Sequence, residues 1–147
     1  AACCAVGARS VGANAETVEK ARLFGEKVGI AFQIKDDLFD YGTAEVGKPL
    51  GIDIKEKKMT LPLIYALRRA DYWDKRWVIN IVKNNSNDPK KVNEVIAFVK
   101  NSGGIEYSTE AMKHYVDEAQ AILNTFPEST YRTSLEQLVY YTIERSK

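Results

Sequence analysis

Apolar residues return at three- and four-residue steps along almost the whole chain, and nothing alternates with a period of two for long. That spacing belongs to helices with one buried face, and no Asn-Gly or Asp-Gly pair offers a tight hairpin turn. A first helix spans about Glu16 to Asp40, with Ala21, Phe24, Val28 and Ala31 in step. A second starts near Thr60 and runs to Arg69, with Pro62 in a first turn whose N–H groups lack partners anyway. A third covers Tyr72 to Lys83, where Trp73, Trp77 and Ile81 lie one turn apart. Asp88-Pro89 reads as N-cap and first helical residue; Val92, Val95 and Val99 follow, and Gly103-Gly104 ends the run. A long helix then carries Ala111, Tyr115, Ala119, Ile122 and Phe126 on one stripe, and Pro127 punctuates it. The last helix starts near Glu128, with Tyr131, Leu135, Leu138 and Thr142. The spacing predicts an all-α protein with Trp73, Trp77, Tyr115 and Phe126 in its core.

Composition removes several function classes. At 147 residues and 45% hydrophobic, the chain has the size of one domain and enough apolar material for a core. Its 21 Lys and Arg nearly cancel its 20 Asp and Glu, so no general nucleic-acid or membrane-surface signal exists. Any charge-based function must be local. The two cysteines, Cys3 and Cys4, are adjacent, which suits neither an ordinary disulfide nor, with His114 far away, a zinc site. They are expected to be small buried residues in a reducing cytoplasm. The opening run from Ala1 to Ala8 is too short to span a membrane, and Arg9 interrupts it. It reads as the interior of a buried helix that begins further upstream.

Within the first long helix, Gln33, Asp36, Asp37 and Asp40 share one arc of about 100°, with Gly29 on the same side and Lys35 opposite. Like charges one turn apart repel, and Asp is a poor mid-helix residue. Yet Val28, Ile30, Ala31, Phe32 and Ile34 mark this helix as buried almost all round, so the acids are expected to line a wet cavity. All-oxygen carboxylate ligation suits Mg²⁺ or Ca²⁺. Taken alone, Asp-Asp-x-x-Asp is more often a solvated helix end than a metal site. An EF-hand is excluded, because its ligands alternate along a loop.

The segment after the acids changes that balance. From Tyr41 to Met59 the chain does not read as helix, and holds Gly42, Gly47, Pro49 and Gly51 amid Lys48, Lys55, Lys57 and Lys58. A long loop in a helical protein is more often functional than decorative. Glycines let backbone approach a ligand, and lysines supply point charges for phosphate. An acid cluster with a Gly/Lys loop directly behind it points to a metal–diphosphate site.

The pattern Phe32-Gln-Ile-x-Asp-Asp-x-x-Asp40, then Gly47-Lys-x-x-Gly-x-Asp53, then Lys58-x-Thr-Leu-Pro62 resembles the second aspartate-rich motif and adjoining loop of the all-trans polyprenyl (isoprenyl) diphosphate synthases. Weaker similarity covers the whole chain. The resemblance implies a helical bundle of the isoprenoid (terpenoid) synthase type, incomplete at its N-terminus, with residues 1–147 as the C-terminal part of one synthase domain. It implies Mg²⁺-dependent condensation of an allylic prenyl diphosphate with isopentenyl diphosphate, in the cytoplasm. It also implies a homodimer for the full-length protein, and neither nucleic acid nor a transmembrane segment. By the same resemblance Asp36 and Asp40 hold metal, with Asp37 a third ligand or a lysine partner. Lys48 and Lys58 pair with the allylic diphosphate, Gln33 orients the site, and Asp53 assists a metal-bound water or a lysine. Thr60 is either a helix N-cap or a site residue.

One local departure is Lys57, where many members carry Gly, and it leaves Lys57 and Lys58 as alternatives for the loop ligand. The family's first aspartate-rich motif, the basic residues near it, and the Lys-Thr pair just before the opening helix belong upstream of Ala1. The fragment alone is therefore expected to be inactive. Two rival readings are a non-catalytic helical subunit of a heteromeric synthase and a class I terpene cyclase. The Gly47-Lys48 loop and Thr60-Leu-Pro-Leu favour the elongating synthases.

Overall fold

The computed structural model describes residues 1–42 and 50–144, and every regular element among them is a helix. In order these are α1 (Ala2–Ser10), α2 (Ala15–Phe39), α3 (Ile52–Lys55), α4 (Leu61–Arg69), α5 (Tyr72–Asn84), α6 (Pro89–Asn101), α7 (Gly104–Leu123) and α8 (Thr130–Glu144). The all-α expectation holds, and the predicted starts of α4, α5 and α6 fall within a residue of those observed. Asp71 caps α5 by accepting from the N–H of Trp73 and Asp74, and Asp88 caps α6 by accepting from Lys90, with Pro89 in the first turn. Each such cap satisfies amides that have no partner inside the helix, a contribution of about 1 kcal/mol. Among the described residues, no helix is long and apolar enough to cross a membrane.

The contacts divide the chain into two compact units. One comprises Asp36–Glu110. Its core is built by Leu63, Ala66 and Leu67 of α4, Val78, Ile81 and Val82 of α5, and Val92, Val95, Ile96 and Val99 of α6, joined by Tyr41 and Ile54. Gly103 takes a left-handed φ of 75° after α6, and Gly104 starts α7 where a Cβ would stand 2.5 Å from the Pro62 carbonyl oxygen. The glycine pair thus ends one helix and lets the next approach α4 backbone to backbone. Tyr65 and Tyr107 stack nearby, with ring centroids 4.1 Å apart.

The other unit comprises Ala1–Lys35 with Ala111–Lys147. Phe24, Ala31 and Ile34 of α2 are buried, as are Met112, Val116, Ala119 and Leu123 of α7 and Val139 of α8. The Lys27 ammonium pairs with Glu118 at 2.9 Å and lies 5.2 Å over the Tyr115 ring.

Several expected core residues lie elsewhere. Trp73 is 73% exposed and Trp77 is partly exposed, because α5 buries the face bearing Val78, Ile81 and Val82 and leaves the adjoining face to the two indoles. On α7 Ala119 is buried as expected, but Met112, Val116 and Leu123 are buried in place of their predecessors Ala111, Tyr115 and Ile122, so Tyr115 is only half-buried. Phe126 is half-buried because it lines an apolar cavity of about 510 Å³ with Cys4, Phe24, Leu123 and Leu135. Tyr131 (82% exposed) and Leu138 stand outward on α8, which buries Thr142 from the expected stripe together with Val139. Helix α1 buries no residue, contrary to the expected buried helix, and Cys3 is exposed. Cys4 is half-buried, its Sγ 2.6 Å from where a Gly25 Cβ would sit.

Candidate functional site

The acids expected at the end of the first long helix straddle its boundary. Helix α2 stops at Phe39, and the amides of Asp40, Tyr41 and Gly42 then donate to the carbonyls of Asp37, Leu38 and Phe39 at 3.2, 3.2 and 3.3 Å. These i-to-i+3 bonds tighten the chain into a turn. Asp36 is exposed and Asp37 partly buried in the last helical turn, whereas Asp40 sits on the turn itself and is only 9% exposed. Gln33 is exposed on α2, and no atom lies within 4 Å of a Cβ added at Gly29. The expectation of a helix buried almost all round is corrected: Phe32 is 42% exposed, and Val28 and Ile30 are half-buried. The buried side of this stretch is the single stripe through Ala31 and Ile34, and an apolar run on a helix need not be covered on every face.

The Asp40 carboxylate accepts from two backbone amides, Ile52 N–H at 2.8 Å on one oxygen and Asp53 N–H at 3.1 Å on the other. These amides open α3, a single turn inside the segment expected to be loop. Ahead of it Gly51 takes a left-handed φ of 74°, and its amide donates to the Asp40 carbonyl at 3.1 Å. A Cβ at Gly51 would collide with Val92 and crowd Ile96 of α6, so this position requires glycine twice over.

Beyond α3 the lysines part. Lys57 is held at a φ of 60°, a conformation that favours glycine, and its ammonium donates to the Lys83 carbonyl at 2.8 Å. The Lys58 ammonium instead reaches Glu56 at 2.6 Å and Asp53 at 3.2 Å, while its backbone N–H donates to the Asp53 carbonyl at 2.8 Å. The Glu56 carboxylate first, and Asp53 with it, hold the Lys58 ammonium well above the usual lysine range, so it stays charged. Of the two alternatives, Lys58 is the one joined to Asp53. Lys48, together with Gly47 and Pro49, lies outside the described residues.

Sequence reasoning missed one buried pair. The Tyr41 hydroxyl and Thr60 Oγ1 are 2.7 Å apart, and both residues are buried. Thr60 does occupy the N-cap position of α4, yet its side chain makes no capping bond and turns to Tyr41 instead. Burial pushes the Tyr41 phenol well above its ordinary range, with the nearby carboxylates of Asp40, Asp53 and Asp37 acting in the same direction.

Among the described residues, no three His, Cys, Asp or Glu side chains are gathered as a metal-holding group. The donor chemistry is nevertheless that of a hard cation, since residues 33–60 contain carboxylates and no Cys or His. Mg²⁺ takes one or two carboxylates and completes its shell with water and phosphate oxygens, so it needs no all-protein cage. The arrangement therefore links an acid-bearing helix end to a charged lysine through two short contacts, Asp40 to Asp53 and Asp53 to Lys58.

Residues 1–99 match the family described as polyprenyl synthetase. The chain is 40% identical to a geranylgeranyl pyrophosphate synthase from Bacteroides thetaiotaomicron, with a TM-score of 0.89 over 98% of this chain and 48% of that one. It is 30% identical to a polyprenyl synthase from Caulobacter crescentus solved with calcium and isoprenyl diphosphate, with a TM-score of 0.82 over 96% and 44%. Component 2 of heptaprenyl diphosphate synthase from Geobacillus stearothermophilus is 35% identical over 99% of this chain and 45% of its own length. The chain thus spans less than half the length of each of these relatives.

Proposed function

Because the chain belongs to the polyprenyl synthetase family, we propose that it carries the second metal- and diphosphate-binding side of a prenyl-chain-elongating synthase. The observation that carries the reading is the hydrogen-bonded path from Asp40 through Asp53 to Lys58, which ties a cationic segment to the acidic end of α2. A diphosphate with a hard cation needs carboxylates for the cation and ammonium groups for its remaining charge, and this segment offers both.

Asp36 and Asp37 would hold Mg²⁺, with Asp40 limited to the lone pairs its two amide partners leave. The bound ion would supply the charge that makes diphosphate a better leaving group. Lys58 and Lys48 would bind the allylic diphosphate, Asp53 would hold Lys58 in orientation, and Gln33 would take the orienting role its motif implies. The reaction served is condensation with isopentenyl diphosphate: the allylic C–O bond breaks, pyrophosphate leaves, the isopentenyl double bond forms the new C–C bond, and a proton is lost. The partners are those two diphosphates and a second copy of the full-length protein. The likeness to a named component 2 favours a second reading, in which the full-length protein pairs with a different chain. Turnover by the purified full-length protein without another polypeptide would exclude that reading.

Titration calorimetry with pyrophosphate, with and without Mg²⁺, tests the site on the chain itself. With one acid-rich motif in its 147 residues, the chain is expected to bind but not to transfer prenyl groups. Heat should require Mg²⁺, and Asp36→Ala should weaken binding about tenfold or more, the scale of one charge-assisted contact. Glu110→Ala on α7 is the control. Equal binding by both variants would mean that the acids are only a solvated helix end.

A further inference from the structure

The third acid of the motif, Asp40, is engaged by the backbone of α3. Asp36 is exposed, whereas Asp40 is 9% exposed and turned away from the helix, each carboxylate oxygen accepting one backbone amide of α3. Its own carbonyl takes a third, from Gly51 at 3.1 Å. The first amides of any helix lack partners inside it, and α3, at four residues, is too short to stand without help. Two amides from consecutive residues fix a carboxylate in plane and direction more firmly than one contact could. Gly51 closes the other side, since its left-handed turn seats the backbone against Val92 and Ile96.

We propose that Asp40 is a positioning residue for diphosphate binding: it fixes the α3 turn so that Asp53 presents Lys58 to the ligand. The links are consecutive. Asp40 holds the Asp53 amide at 3.1 Å, the Asp53 carboxylate holds the Lys58 ammonium at 3.2 Å, and the Asp53 carbonyl holds the Lys58 amide at 2.8 Å. A lysine carries long, flexible side-chain freedom, and limiting it before the ligand arrives lowers the ordering that binding must impose. The inference rests on the diphosphate reading above, and goes beyond it by giving Asp40 a role toward the backbone of α3.

The test is a double-mutant cycle on pyrophosphate affinity in the presence of Mg²⁺, with amide hydrogen exchange on the same proteins. Asp40→Asn and Lys58→Ala should each weaken binding about tenfold, and the double variant should also lose about tenfold, not the roughly hundredfold of independent losses. Exchange at the Ile52 and Asp53 amides should quicken in Asp40→Asn and not in Lys58→Ala. A merely structural Asp40 would quicken exchange yet add its loss to that of Lys58→Ala, and a direct metal ligand would add its loss with exchange unchanged. Either pattern overturns the proposal. Should Asp40→Asn fail to fold, Asp53→Asn combined with Lys58→Ala asks the same question one link later; non-additive losses support the proposal and additive ones refute it. Wild-type chain that binds no pyrophosphate overturns the diphosphate reading and the positioning role with it, whereas wild-type binding with additive losses overturns the positioning role alone.

Discussion

Replacing Tyr41 with Phe should make the chain less stable near neutrality and, at the same time, less sensitive to alkali. The hydroxyl lies 2.7 Å from Thr60 Oγ1, both residues are buried, and Phe leaves the threonine without this partner. Loss of one hydrogen bond plus desolvation of an orphaned hydroxyl costs about 1–3 kcal/mol at pH 8. The alkaline side comes from burial, which raises the phenol's folded-state pKa above its ordinary value of 10.0. A group raised on folding contributes stability that is complete below its unfolded pKa and is lost as pH climbs above it. Above pH 10 the unfolded chain releases a proton that the folded chain keeps, so unfolding is favoured. For one such group, loss between pH 8 and pH 11 amounts to about 1.4 kcal/mol, close to the limiting slope of about 1.4 kcal/mol per pH unit. Tyr41→Phe lacks this component, while the other tyrosines and the lysines titrate alike in both proteins. Urea unfolding at pH 8, 10 and 11 should therefore show the gap between wild type and variant narrowing by about 1.4 kcal/mol. A gap that stays constant over that range would refute the argument, because it would mean that Tyr41 ionises as readily folded as unfolded.

Two glycine-related substitutions test the segment around α3. Gly51→Ala combines a left-handed φ of 74° with collision against Val92 and should destabilise the chain by about 2–4 kcal/mol in urea unfolding; a change under about 0.5 kcal/mol would mean that the turn is not built as described. Lys57→Gly should do the opposite, raising stability by up to about 1 kcal/mol through relief at φ 60°, with the exposed contact to the Lys83 carbonyl offsetting little; a lower urea midpoint would sink that expectation.

Features set by neighbouring residues were legible from sequence, and features set by distant ones were not. Asp88-Pro89 and Gly103-Gly104 mark real helix boundaries because capping and left-handed turns are decided within a few residues. Asp71 carried the same signal for α5 and could have been read from its place just before Tyr72. Which of two adjoining apolar faces a helix buries depends on what packs against it. Trp73 and Trp77 on α5, and Tyr131 and Leu138 on α8, had suitable spacing but lie on the wrong face. At the candidate site, the family resemblance offered Asp53 as a partner for either a metal-bound water or a lysine, and in the structure its carboxylate meets Lys58. That the two neighbouring lysines part, Lys57 to the Lys83 carbonyl and Lys58 to Glu56 and Asp53, could not be read from their order. Helix α3 and the Tyr41–Thr60 pair were invisible, since their bonds join residues 12, 13 and 19 apart and no periodicity reports such separations.

The two amides on Asp40 also decide how freely this stretch of chain can change. They pin points 12 and 13 residues apart, so the intervening chain begins and ends at fixed places. The register of everything after Gly51 is therefore set from Asp40 directly, across the chain and not along it. Lys58 keeps its place beside Asp53 for as long as those two amides keep their acceptor.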